Sequence, residues 1–203
     1  MNRGSIRGWK TLGFEPSKEA YQYSSDHLGL DVINEFFDEK NCHKISGYDA
    51  VHMSSVLEHL PDPIGSMRLV YENLNTGCLI CVTVPNDYNP FQLILRNDLR
   101  FPSWWESPPH HLNYFNFKSL EKLFLSVGFK VFYQTASFPM DLFLLMGKNY
   151  VNNDIVGREC HNLRKQFEIS LSMSGNNNIK KDLYQKFSEI GLGREIIMYG
   201  VKE

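Results

Sequence analysis

Residues 48–85, YDAVHMSSVLEHLPDPIGSMRLVYENLNTGCLICVTVP, decide the fold. The stretch opens with YDAVHMSS (48–55), where Ala50 and the apolar Val51 and Met53 lie near the centre of a predicted strand. From Pro63 to Leu74, the residues Ile64, Met67, Val70, Tyr71 and Leu74 recur at helical spacing, and Asn75-Thr76-Gly77 supplies a turn. GCLICVTV (77–84) then reads as a second strand, stopped by Pro85. Strand, helix and strand in this order make a βαβ unit, whose strands pair in parallel through the crossover helix.

The same alternation continues outward. Upstream, TLGFE (11–15) is a short strand, Pro16 starts a helix that runs to Leu28, Gly29 stops it, and LDVIN (30–34) is another strand. Downstream, residues 86–116 are rich in proline and aromatics and longer than an ordinary connection, which marks a functional loop or lid. Leu120, Leu123, Phe124 and Val127 then form a helix face capped by Gly128, and FKVFYQTA (129–136) is a strand. Two more helices follow from Val156, Cys160, Leu163 and Phe167 and from Ile179, Leu183, Phe187 and Ile190, with SGNNN (174–178) as the turn between them. REIIMYGV (194–201) is the last strand. The pattern predicts one α/β domain over 1–203, with a mostly parallel sheet and helices on both faces.

Composition narrows the function. The chain has 203 residues, 42% hydrophobic and 22% charged, the make-up of one ordinary domain. With 21 Lys and Arg against 23 Asp and Glu the net charge is -2, so there is no basic field for a nucleic acid or an anionic membrane. The longest apolar runs, Leu79–Val84 and Leu142–Met146, fall far short of the ~20 residues a spanning helix needs. MNRGSIRGWK (1–10) lacks the apolar run and cleavage site of a secretory signal, and a cytoplasmic, reducing location is expected. Cys42, Cys78, Cys81 and Cys160 accordingly read as free thiols. Cys78 and Cys81 have CxxC spacing, but strand residues three apart point to opposite faces and cannot share a zinc ion.

A few residues carry chemistry. Glu15 ends a strand, where an acid can accept both hydroxyl protons of a ribose, although a carboxylate in the first turn of a helix also complements the macrodipole. Glu58 and His59 could ligate a divalent ion, but Ser54 and Ser55 precede them, leaving too few ligands, and no metal is predicted. Glu58 is expected to cap a short helix and His59 to hydrogen-bond near a substrate, with Asp62 and Pro63 starting the next helix. His110 and His111 follow Pro108-Pro109 among Trp104, Trp105, Tyr114 and Phe115. An imidazole there could take a proton at neutral pH or could simply fasten the loop to the domain.

Taken in order, GFEPS (13–17), YDAVHMSSVLEHLPDP (48–63), LICVTVPN (79–86) and PPHHLNYFNFKSLEKLFLSVGF (108–129) resemble the class I S-adenosylmethionine-dependent methyltransferases of the type 11/12 group, over about residues 7–136. The resemblance implies a Rossmann-like fold and S-adenosylmethionine as cofactor. It implies that Glu15, beside Pro16, grips the ribose, and that the segment carrying Ser54, Ser55 and Glu58 lies beside the sulfonium. His59, His110 and His111 would then serve the acceptor, and residues 137–193 would be a helical cap inserted before the final strand. Methyl transfer to oxygen or nitrogen of a small molecule is the expected reaction.

The family's opening strand and GxGxG loop have no counterpart here. Gly191-Leu192-Gly193 is in the wrong place and reads as a helix C-cap, while MNRGSIRGWK resembles the end of the helix that follows such a loop. A first βα unit is therefore expected to be missing, through truncation, a misplaced start or gene decay, with the cofactor bound weakly or not at all. A non-catalytic remnant acting as an interaction domain is the alternative. The 11–15 strand is expected to pair in parallel with 49–54 and so close the gap; closure by another chain would make a homo-oligomer.

Overall fold

The computed structural model describes all 203 residues. In chain order the elements are α1 (Asn2–Ile6), β1 (Gly13–Phe14), α2 (Lys18–Gln22), β2 (Val32–Ile33), β3 (Ala50–Ser54), α3 (Pro63–Asn73), β4 (Leu79–Pro85), α4 (Pro90–Asn97), α5 (Phe117–Val127), β5 (Phe129–Ala136), α6 (Asp141–Leu145), α7 (Asp154–Met173), α8 (Asn177–Glu189) and β6 (Glu195–Lys202). The predicted βαβ unit is present: β3 pairs β4 in parallel, from Ala50 opposite Leu79 to Ser54 opposite Thr83. Asp62 caps α3 by accepting the Gly65 N–H, and Pro63 sits in its first turn, where a missing N–H costs nothing.

The main sheet has the order β3-β4-β6-β5. β6 is antiparallel to both neighbours, so β3, β4 and β5 run one way and the last strand returns between β4 and β5. Alternation along the strands puts Ile80, Val82, Val84, Ile196 and Met198 into a continuous core with Met67 and Val70 of α3 and Leu120 and Phe124 of α5. Gly200 lies on this face, where a Cβ would sit 2.8 Å from the Phe124 ring, and its absence lets α5 close on β6. On the opposite face Lys181 of α8 lies over the ring of Tyr133, whose register partner is Tyr199. Cys81 is on a strand and Cys78 precedes it, and all four cysteines are free thiols.

Several sequence expectations need correction. The helix predicted over 16–28 is α2 followed by one π-helical turn, Tyr23–His27; the break coincides with Ser24-Ser25-Asp26, whose side chains compete for backbone hydrogen bonds. Gly29, at φ +60, ends it as expected. Pro85 is the last residue of β4 instead of the first beyond it. The 86–116 loop contains α4, started by a capping box between Asn89 and Gln92. The helical segment before β6 gains α6, whose buried Asp141 accepts hydrogen bonds from Asn89 Nδ2 (3.1 Å) and Tyr150 OH (3.3 Å) and so ties it to α4.

The 11–15 strand does not pair with 49–54. β1 pairs only with β2, Gly13 opposite Val32 and Phe14 opposite Ile33, in a separate two-stranded sheet, and β3 has no partner but β4. No hydrogen bond joins residues 1–40 to residues 46–203. The contact is made by side chains: Phe14 and Phe37, edge to face at 5.2 Å, pack on the main core, and Lys10 lies 5.2 Å from the Tyr48 ring centroid. The expected pairing assumed that a free β3 edge would be buried. Ala50, His52 and Ser54 are exposed, so water can satisfy that edge and the penalty does not arise.

Candidate functional site

The carboxyl ends of β3 and β4 both turn sharply. Ser55, directly after β3, has φ +53, and Tyr88, three residues beyond β4, has φ +54, left-handed conformations that non-glycine residues adopt rarely and often near functional sites. After Ser55 the chain forms one 3₁₀ turn, Leu57–His59. The loop before α5 docks on this turn. The Leu112 and Asn113 N–H groups donate to the Glu58 carbonyl (2.8 and 3.0 Å), and Asn113 Nδ2 donates to the Leu57 and Leu60 carbonyls (3.0 and 2.7 Å). Asn113, which the sequence did not single out, is therefore the side chain that fastens the loop. His110 takes part through its carbonyl, which accepts from His59 Nδ1 at 2.7 Å, while its side chain is exposed.

This docking brings Glu58, His59 and His111 together. Their ligand-type atoms all lie within 4.8 Å of one another, the two imidazoles meet edge to face at 5.0 Å, and His59 Nε2 is 3.8 Å from Glu58 Oε1. Glu58 is only 1% exposed and does not cap a helix from outside as expected; its Oε2 has no partner, and neither does the buried Nδ1 of His111. Burial pushes the Glu58 carboxyl above the usual range, against the weaker pull of its own N–H and the two imidazoles. Asp87, immediately beyond β4, is a second buried acid that sequence reasoning missed, although an acid just past a strand end is the signal that drew attention to Glu15. Burial, assisted by the charge on Glu58 and opposed by a backbone hydrogen bond from Phe115, pushes Asp87 up to about 7.

Aromatic rings extend from this cluster. His111 neighbours Tyr114, Tyr114 neighbours Tyr88, and Tyr88 neighbours Trp105, with centroids 6.2, 6.0 and 5.7 Å apart. The Arg96 guanidinium lies 5.8 Å from the Tyr88 ring and 5.7 Å from Trp105.

The remaining predicted residues lie apart. Glu15 follows β1 and lies before the Ser17 N-cap of α2, outside the first turn in which the macrodipole reading placed it; its Oε1 accepts the Ser17 N–H at 2.9 Å, and Pro16 is exposed and offers its carbonyl to Asn34. Ser54 and Ser55 are exposed at the end of β3, and no hydrogen bond links them or Glu15 to the Glu58 cluster. A surface groove of about 660 Å³, bordered by Ser17, Tyr23, Asp26 and His27, runs along α2 and the π turn.

Residues 4–134 match the family model of a methyltransferase domain. The chain belongs to this methyltransferase family. The family's methyl donor is S-adenosylmethionine, and the fold agrees. A SAM-dependent methyltransferase from Thermotoga maritima superposes with a TM-score of 0.54 at 13% identity, covering 98% of this chain and 76% of that one. A second, from Archaeoglobus fulgidus, gives 0.50 at 15% identity, covering 98% and 90%. The methyltransferase seen in complex with the Trm112 activator of Haloferax volcanii gives 0.53 at 14%, covering 98% and 78%. No curated protein matches.

The residues present fit the ribose end of the methyltransferase cofactor. The Glu15 carboxylate accepts only through Oε1, leaving Oε2 for a hydroxyl, and Ser54 and Ser55 are exposed. The strands β1 to β5 are followed by EPS, NEF, SVL, NDY and SFP, none of them a glycine-rich turn for the amino acid end.

Proposed function

We propose that this methyltransferase uses Glu15, Ser54 and Ser55 toward its cofactor and places a small-molecule acceptor against His59 and His111, under the aromatic loop. The observation that carries this reading is the meeting of His59 and His111 over buried Glu58 at the carboxyl end of β3. When bound, the cofactor supplies an electrophilic methyl group on a sulfonium. His59 donates its Nδ1 proton to the His110 carbonyl, so its Nε2 carries a lone pair able to take the proton of an acceptor hydroxyl or amine. The Glu58 carboxylate, 3.8 Å from that nitrogen, would steady the imidazolium so formed. Tyr88, Trp105 and Tyr114 would exclude water and orient the acceptor, and a net charge of -2 argues against a nucleic-acid acceptor. No helix is long and apolar enough to cross a membrane.

Methyl transfer from labelled S-adenosylmethionine to a panel of sugars, quinones and amines tests the reading. His59→Ala and His111→Ala should each lower kcat, by roughly 10²–10⁴-fold for the group that acts as base, with cofactor affinity unchanged by calorimetry. Lost thermal stability at unchanged turnover would return the histidines to a fastening role. A second reading, an interaction domain without turnover, is favoured by the separation of β1 from β3. Absence of any S-adenosylmethionine binding would support it.

A further inference from the structure

We propose that Glu58, His59 and His111 form a binding site for a divalent transition-metal cation of the zinc, cobalt or iron(II) type. The cluster is short of hydrogen-bond partners. His59 commits its Nδ1–H to the His110 carbonyl, which leaves the Nε2 lone pair beside the acceptor Glu58 Oε1 at 3.8 Å. Glu58 Oε2 and His111 Nδ1 are buried with no partner, and Asp87 adds a further buried, partnerless Oδ2. Buried polar atoms left unpaired are costly, and a single cation held by Glu58, His59 and His111 would give the Glu58 and His111 side chains a partner.

The geometry suits such an ion. Ligands held at about 2.0–2.2 Å from one metal lie roughly 3–4 Å from one another, and the three ligand atoms here already fall within 4.8 Å. Two imidazoles and one carboxylate select a borderline transition metal over magnesium or calcium, which take oxygen ligands. The His110 carbonyl behind His59 is the arrangement that orients a metal-bound histidine. Backbone bonds from Leu112 and Asn113 to the Glu58 carbonyl hold the two contributing segments in place. The His59 side chain is 46% exposed, so one side of the site stays open to solvent or to an acceptor atom.

The inference stands apart from the proposed base, since the one Nε2 lone pair of His59 cannot both hold an ion and take a proton, and it can be read without cofactor. The full chain, freed of any affinity tag and dialysed against chelator, is titrated with Co²⁺ and Zn²⁺, and binding is followed by visible absorption and calorimetry. One equivalent should bind, with Co²⁺ giving the bands of a nitrogen- and oxygen-ligated ion and Zn²⁺ raising Tm. His59→Ala, which truncates a half-exposed ring, and Glu58→Gln, which keeps the shape and removes the charge, should each weaken binding by about 100-fold or more, with circular dichroism confirming the fold. The proposal is overturned if the wild-type chain takes up neither ion, or if His59→Ala binds as tightly as wild type. Should Glu58→Gln not fold, His59→Ala alone decides.

Discussion

At the scale of single residues, the acids behind β3 and β4 set the behaviour of the site. Asp87 titrates near 4 in an unfolded chain and is pushed up to about 7 by burial in the fold. The folded state therefore holds the proton more tightly. The stability linked to it is complete below about pH 4 and is lost as the pH rises through about 7. In chelator-containing buffer, Tm should fall between about pH 4 and pH 7, and Asp87→Asn should flatten that slope and raise Tm at the upper end. Scanning calorimetry at several pH values checks this; an unchanged slope in the variant would mean that another group titrates. Asn113 was not legible as a fastener, because its partners, Leu57 and Leu60, are more than fifty residues away in the chain.

Among the elements, α5 shows how local signals and packing combine. Asn116 and Ser119 form its capping box and Gly128, at φ +111, ends it, both visible as a polar start and a glycine stop around an apolar face. Packing adds a second constraint at that stop: a Cβ on Gly128 would lie 2.9 Å from the Tyr71 ring, which also meets Phe129, edge to face at 5.0 Å, and the Lys202 ammonium at 4.6 Å. Gly128→Ala should cost about 1–3 kcal/mol, from the left-handed backbone and from displacement of Tyr71. Chemical denaturation measures it, and a loss below about 0.5 kcal/mol would show that Tyr71 moves freely. α4 had an equally local signal in Asn89-Pro90, but the aromatic richness of 86–116 hid it. The π turn at Tyr23–His27 had no sequence signal beyond its poor helix formers.

For the whole molecule, the decisive feature is the division into two sheets. Residues 1–40 make no hydrogen bond to residues 46–203 and dock on them by side-chain packing, whereas β4 sits between two strands in the main sheet. Elements with few cross-links open with low free energy. The amides of Gly13 and Glu15, bonded to Asp31 and Ile33, should exchange with deuterium roughly 100-fold faster than those of Val82, Val84, Ile196 and Met198. Phe14→Ala should widen the difference, because Phe14 is part of the packing that docks the small sheet. Equal protection in both sheets would show that they unfold as one unit.

By itself the sequence determined the strands and the longer helices with their buried sides, but not α4 or α6. Alternating apolar residues fixed which face of β4 and β6 is buried, and Asp62-Pro63, Gly29, Gly128 and Gly191 fixed where helices begin and end. These are properties of a few consecutive residues, set by backbone sterics and side-chain periodicity. Tertiary structure alone decided which strands pair and which side chains meet. β1 takes β2 and leaves β3 with a free edge because that edge is exposed enough for water to satisfy it. Glu58 meets His111 because Asn113 and two backbone amides anchor a distant loop on the turn after β3. Contacts between residues that far apart depend on packing free energy summed over the fold, which no short stretch of sequence encodes.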